Sequence, residues 1–193
     1  MDSFEFSIIV PTYNRPSSLS RCLQSLVALD FPRDAYEVVV VDDGGGADLT
    51  AVITPIADHI NIQLARQANS GPAAARNHGA ELANGRFLAF IDDDCHTAPG
   101  WLTVFQEQLA GAPQVLIGGK VVNGLPHNLY SAASQLLIDY LYAYAQKRPS
   151  SGLRFFTSNN LALAADVFAA VGGFNAAMPL AAGEDREFCD RWL

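Results

Sequence analysis

The sequence predicts an α/β fold with a mostly parallel sheet flanked by helices, and three observations carry that prediction. Short β-branched runs alternate with segments of helical periodicity along the chain. The run Val38 to Val41 is apolar without a break, the pattern of a strand covered on both faces. Polar and acidic residues follow directly on three of the strand-like segments, at the edge where open α/β sheets bind ligands.

The elements follow in order. Phe6 to Val10 is the first strand. Pro16 opens a helix, because its fixed φ and missing N–H suit the first turn, and Leu19, Cys22, Leu23, Leu26 and Val27 form its apolar stripe. Val38 to Val41 is the second strand and runs into Asp42 and Asp43. A weak helix reaches Asp58, and a strand follows around Ile60 to Ala65. Gly71 and Pro72 introduce an alanine-rich helix to about Ala83. Arg86 to Ile91 is the next strand and ends in Asp92, Asp93 and Asp94. Pro99 starts another helix, Gln114 to Val122 reads as a strand, and Tyr130 to Gln146 is helical. Leu161 to Ala164 is a short strand, followed by a helical turn and the Gly172-Gly173 break. A last helix starts at Glu184 and stops uncapped at Leu193, which reads as one domain over residues 1–193, truncated at its C-terminus.

Composition narrows the function classes. Half of the 193 residues are apolar, enough for a core. The formal net charge of -8 argues against nucleic-acid binding, which needs a basic face. A nucleotide is still accessible, because carboxylates can hold a cation that holds phosphate. Lys120 and Lys147 are the only lysines, so arginines must supply most cationic contacts. Cys22, Cys95 and Cys189 are odd in number and widely spaced, which predicts reduced thiols and a cytoplasmic setting. The N-terminus reaches a strand too soon to hold a signal peptide, and no apolar run approaches a membrane span of about 20 residues. Ala132 to Ala145 is apolar but interrupted by Gln135 and Asp139, open to core packing or to peripheral contact with a membrane surface.

The chemistry concentrates at the strand ends. Pro11-Thr12-Tyr13-Asn14-Arg15, Asp42-Asp43 and Asp92-Asp93-Asp94 would face one cleft. Turns favour Asp and Asn for local hydrogen bonding, which explains one such cluster more readily than three at one edge. Three successive carboxylates repel one another unless solvated or neutralised, and a hard cation such as Mg2+ takes one or two of them plus phosphate oxygens. His96 is either a further ligand or a solvated surface histidine. Arg76 lies in a helix whose first turn is built of small residues, open to close approach of an anion. Its bland alternative is a surface salt bridge. Glu184 and Asp185 open the last helix, where a carboxylate serves either as a general base or as a helix cap; residue by residue, the cap is favoured.

Taken together, Ser7-Ile8-Ile9-Val10-Pro11-Thr12-Tyr13-Asn14, Val41-Asp42-Asp43-Gly44, Gly71 to Asn77, Phe90-Ile91-Asp92-Asp93-Asp94, Gly172-Gly173-Phe174 and Gly183-Glu184-Asp185 resemble the family 2 glycosyltransferases of the GT-A fold. The resemblance implies a Rossmann-like sheet and an inverting catalytic domain that uses a nucleotide-sugar donor, a UDP-sugar, with Mg2+ or Mn2+. It implies that Pro11, Thr12 and Tyr13, with Arg15 beside them, shape the nucleotide pocket and that Asp42 or Asp43 bonds a uracil-like base. Arg76 would help bind the nucleotide, Asp92 and Asp93 would face the ribose, and Asp94 would ligate the metal. Asp185 would be the catalytic base with Glu184 on the acceptor side, which overrides the helix-cap preference. The implied partners are the donor and a carbohydrate or lipid-linked acceptor. Gly44-Gly45-Gly46 departs from the usual Gly-Ser and suggests a looser loop, and Phe188 replaces the glutamine expected of processive members. Two rivals use similar parts, a sugar-nucleotide-forming nucleotidyltransferase and a binding module without turnover. The former would carry a basic, glycine-rich loop after strand one, which Thr12-Tyr13-Asn14-Arg15 is not.

Overall fold

The computed structural model describes residues 4–147, 156–178 and 183–192. Six strands, β1 (Phe6–Thr12), β2 (Tyr36–Asp42), β3 (Asn61–Arg66), β4 (Phe87–Phe90), β5 (Ile117–Gly118) and β6 (Leu161–Ala164), form one sheet in the order β3-β2-β1-β4-β6-β5. β1 to β4 are mutually parallel, and β6 runs antiparallel to both β4 and β5. Helices α1 (Pro16–Val27), α2 (Thr50–Ala57), α3 (Pro72–Leu82), α4 (Trp101–Gly111), α5 (Leu129–Lys147), α6 (Ala165–Val171) and α7 (Glu184–Trp192) complete the chain.

Successive side chains of a strand point to opposite faces, and the sheet sorts its core accordingly. Ile8, Val10, Val38 and Val40 pack against Leu19, Leu23 and Leu26 of α1 and Leu102 and Phe105 of α4. Ile9, Val39, Val41 and Phe90 face Ala73 and Ala75 of α3, Phe168 of α6 and Phe188 of α7. Both faces of β2 are therefore dry, as its unbroken apolar run predicts. On the second face Phe174 stacks at 4.7 Å from Phe188 and 5.3 Å from Phe90, which ties the last helix to the central strand. Aromatic pairs of this kind add about 0.5–1.5 kcal/mol each beyond burial. Helix α3 rides unusually close to the sheet, since a Cβ at Gly79 would lie 2.5 Å from Cγ2 of Ile9.

The expected strand over Gln114 to Val122 shrinks to Ile117–Gly118. Its apolar residues are real, but β5 is an edge strand that pairs only with β6, and Val115 and Val122 face solvent. The helix expected over Tyr130 to Gln146 is α5; residues 148–155 lie outside the described residues. Leu129, Tyr130, Leu136, Leu137 and Tyr140 of α5 are exposed, so the apolar pattern there is not core packing within the described residues. No described helix is long and apolar enough to cross a membrane, and all three cysteines are free.

Candidate active site

Register brings the acidic strand ends together. Thr12 lies opposite Asp42, and Ile9 opposite Phe90, so the C-terminal ends of β2, β1 and β4 stand side by side. The three clusters that the sequence placed at one edge do share that edge.

Each cluster is held by named bonds. Thr12 donates its hydroxyl to Asp93 at 2.6 Å, and Arg15 reaches Asp93 at 3.2 Å and Asp94 at 2.9 Å. The end of β1 and the residues that follow it therefore clamp the loop after β4. Asp93 is buried, with both oxygens taken by Arg15 and Thr12. Burial raises its pKa, opposed by the Thr12 hydroxyl and the Arg15 guanidinium. Asp93 thus ties the loop after β4 to the end of β1, with one partner on each oxygen. Pro11 is half-buried at the end of β1, whereas Tyr13 stands out of the edge at 47 % exposure, a flat surface beside the cleft.

Asp42 and Asp43 organise loops as well. Oδ1 of Asp42 accepts the Gly45 N–H at 2.9 Å, and Oδ2 lies 3.4 Å from Arg66 at the end of β3. Asp43 accepts three bonds: from the Gln67 amide and the Ser70 N–H on Oδ1, and from the Gly71 N–H on Oδ2, each at 2.8 Å. That carboxylate fastens the entry to α3. The triglycine loop is tied too, since Gly46 donates to Asn14 at 2.9 Å. Gly44 adopts a φ of +79°, and a Cβ there would lie 2.6 Å from the Asn69 nitrogen, so only glycine fits without strain.

Arg76 corrects the bland reading of the sequence. It is no surface ion-pair residue: it is 4 % exposed, with Nη2 at 2.7 Å from Asp92 and Nη1 at 3.2 Å from Glu184. Burial opposes its charge, but Asp92, Asp185 and Glu184 outweigh that and hold the guanidinium cationic. One side chain thereby joins the acidic loop after β4 to the start of α7. Its neighbour Asn77 exchanges two hydrogen bonds with the backbone of Phe174, 2.7 and 2.8 Å long, which fixes the segment after α6.

The helix-cap reading of Asp185 also gives way. Its carboxylate leaves its own helix and accepts the N–H of Ser158 at 3.0 Å and the hydroxyl of Ser158 at 3.2 Å. Burial raises its pKa most, with Ser158 and Arg76 pulling the other way. Ser158 begins a 3-10 turn, Ser158–Asn160, just before β6. Nothing in the sequence marks Ser158, because its role rests on a contact across 27 residues. Arg76, Asp92, Ser158, Asn159, Glu184 and Asp185 wall a cavity of about 180 Å³. A larger hollow of about 400 Å³ beside Arg86 and Asp166 holds none of the acidic strand ends.

Asp94 is the exposed member of the triplet, with its side chain 55 % exposed. Asp92 and Asp93 spend oxygens on Arg76, Thr12 and Arg15, and Asp94, although its Oδ2 also meets Arg15, is the most exposed carboxylate of the three and the one a hard cation can reach. Among the described residues no three His, Cys, Asp or Glu side chains form a ready cage. The donor set suits an ion held by one carboxylate together with phosphate oxygens. His96 is exposed, and burial next to the acidic loop pushes the Cys95 thiol up to about 12.

A mostly parallel sheet with acidic strand ends gathered around one cleft defines this chain as a GT-A domain. It belongs to glycosyl transferase family 2, whose model matches residues 7–172. The glycosyltransferase AglE of Haloferax volcanii is 34 % identical over 118 residues, 60 % of this chain and 38 % of that protein. The validoxylamine A glucosyltransferase of Streptomyces hygroscopicus subsp. jinggangensis is 31 % identical over 137 residues, 69 % of this chain and 32 % of that protein. The chain therefore spans well under half the length of these relatives. Residues 1–349 of TarS from Staphylococcus aureus, in complex with UDP-GlcNAc, share the fold with a TM-score of 0.72 at 24 % identity, covering 96 % of this chain and 52 % of that one. The mannosyltransferase PcManGT from Pyrobaculum calidifontis, in complex with GDP-Man and Mn2+, gives 0.71 at 22 %, covering 96 % and 50 %.

Proposed function

We propose that this domain transfers a sugar from a nucleoside-diphosphate sugar, a UDP-sugar, to an acceptor hydroxyl with inversion at the anomeric carbon. The observation that carries the reading is the Arg76 bridge. It brings Asp92, Glu184 and Asp185 to one small cavity, and in this reading Asp92 serves the donor and Glu184-Asp185 the acceptor. The donor complex of the TarS relative with UDP-GlcNAc supports a nucleotide-sugar ligand.

Tyr13 and Pro11 offer a wall for the base, and Thr12 with Asp42 and Asp43 holds the loops around it. Arg76, paired with Asp92, would help hold the nucleotide end of the donor. Asp185 takes the proton of the acceptor hydroxyl as that oxygen attacks the anomeric carbon. The bond from that carbon to the diphosphate breaks on the opposite face, and the nucleoside diphosphate leaves with the electron pair. Positioning and fixed charge supply the acceleration, as expected of a displacement whose leaving group is already anionic. Asp94 would hold Mg2+ or Mn2+, whose charge offsets that developing on the diphosphate. The acceptor is a carbohydrate or a lipid-linked sugar, and the exposed apolar face of α5 supports peripheral contact with a lipid surface.

Asp185→Asn tests the assignment. Transfer should fall about 100- to 10,000-fold, the range of a lost general base. Nucleotide binding, read by calorimetry with UDP and Mn2+ or with chelator, should survive the substitution and weaken on chelation. Wild-type turnover in the variant would remove Asp185 from the mechanism.

A further inference from the structure

We propose that Ser158 is the positioning residue of the catalytic base, holding both carboxylate oxygens of Asp185 so that one lone pair faces the acceptor hydroxyl. The inference rests on Asp185 being that base. Ser158 is 3 % exposed, and it meets Asp185 twice, through its N–H to Oδ2 at 3.0 Å and its Oγ to Oδ1 at 3.2 Å. Two donors from one residue fix the plane of the carboxyl as well as its place, whereas a single bond leaves rotation about the Cβ–Cγ axis free.

The turn that supplies these donors is itself held by three helices. Tyr142 of α5 accepts the Thr157 N–H at 3.1 Å, and the Phe156 N–H reaches Sγ of Cys189 on α7 at 3.3 Å. Asn160, which closes the turn, accepts from the indole of Trp101 at 2.9 Å and donates to the carbonyl of Lys120 at 3.2 Å. Ser158 is thus fixed to α4, α5 and α7 before it touches Asp185, the support that a precisely placed catalytic group requires. Among the described residues the charged and titratable groups around Asp185 are Arg76 from α3, Glu184 and Cys189 on its own helix, and Asp92 behind Arg76. Ser158 and Arg76 favour the ionised carboxylate; burial and Glu184 oppose it. A base removing a proton must be ionised, so the two donors serve orientation and charge state together.

The test is the titration of Asp185, followed by the Cγ resonance in protein labelled with 13C-aspartate and assigned by its absence in Asp185→Asn. Ser158→Ala keeps the N–H and drops the hydroxyl. The Asp185 titration should move to higher pH, and the acidic limb of the rate profile with it. Ser158→Thr, which retains the hydroxyl, should titrate as the wild type. With UDP-GlcNAc and Mn2+ as the turnover probe, kcat should fall about tenfold at unchanged donor KM, the loss of one hydrogen bond to a charged group. Ser158→Gly serves as the second deletion should the alanine variant unfold. An Asp185 resonance that titrates identically in wild type and in the folded deletion would overturn the inference. If Asp185→Asn is inactive while the deletions titrate normally, only Ser158 loses its role; if Asp185→Asn turns over normally, the base itself is misassigned.

Discussion

Arg76 and Glu184 stand 108 residues apart in the chain and 3.2 Å apart in the fold, with the Arg76 guanidinium also 2.7 Å from Asp92. This ion triad, buried at Arg76 and Glu184 and part-exposed at Asp92, is the joint between the sheet edge and the last helix. Arg76→Ala would leave Glu184 buried without its cation, and removing one partner of a buried pair costs about 3–5 kcal/mol. The midpoint of urea unfolding should fall accordingly. Arg76→Lys should recover only part of the loss, since one ammonium cannot reproduce the two-armed contact. A midpoint within error of the wild type would show that water reaches and solvates these carboxylates.

Asp43 makes a second case of a carboxylate used for architecture. It accepts from Gln67, Ser70 and Gly71, all on the segment that joins β3 to α3. Asp43→Asn preserves size but replaces one acceptor oxygen with a donor, setting N–H against N–H at one of the three contacts. The turn into α3 should loosen, and UDP affinity measured by calorimetry should drop about tenfold, the worth of a lost bond to a charged group. Unchanged affinity would mean that this loop does not shape the nucleotide pocket.

Much of this was legible because local physics and the fold agree. Val38 to Val41 is apolar on both faces because α1 and α3 cover both, and Pro16 and Pro72 start helices for the same backbone reason. The meeting of Thr12, Asp42 and Asp92 at one edge follows from parallel strands alone. What failed had a tertiary cause. Gln114 to Val122 carries strand-like residues, but at the sheet edge only Ile117 and Gly118 pair with a neighbouring strand. Arg76 kept a surface salt bridge as its bland alternative because its two carboxylates come from distant segments, and Asp185, taken residue by residue, favoured a cap until the family resemblance overrode it, because Ser158 lies outside its helix. Roles that depend on contacts over tens of residues leave no periodic trace.

Asp185 should set stability and activity against each other with pH. Burial raises its pKa above the ordinary value for aspartate. The folded state therefore holds this proton more tightly than the unfolded chain does, so the group's contribution to stability is lost as pH rises through the folded pKa. Above the folded pKa the carboxylate is ionised and costs folding energy, whereas catalysis needs that ionised form. Asp185→Asn, uncharged at every pH, should melt higher than the wild type at pH 7, with the difference shrinking toward acid. Turnover in the wild type should decline over the same acidic interval in which its relative stability recovers. Melting curves across pH for both proteins decide it: a difference that stays constant from neutral to acid would mean Asp185 titrates alike in the folded and unfolded chain.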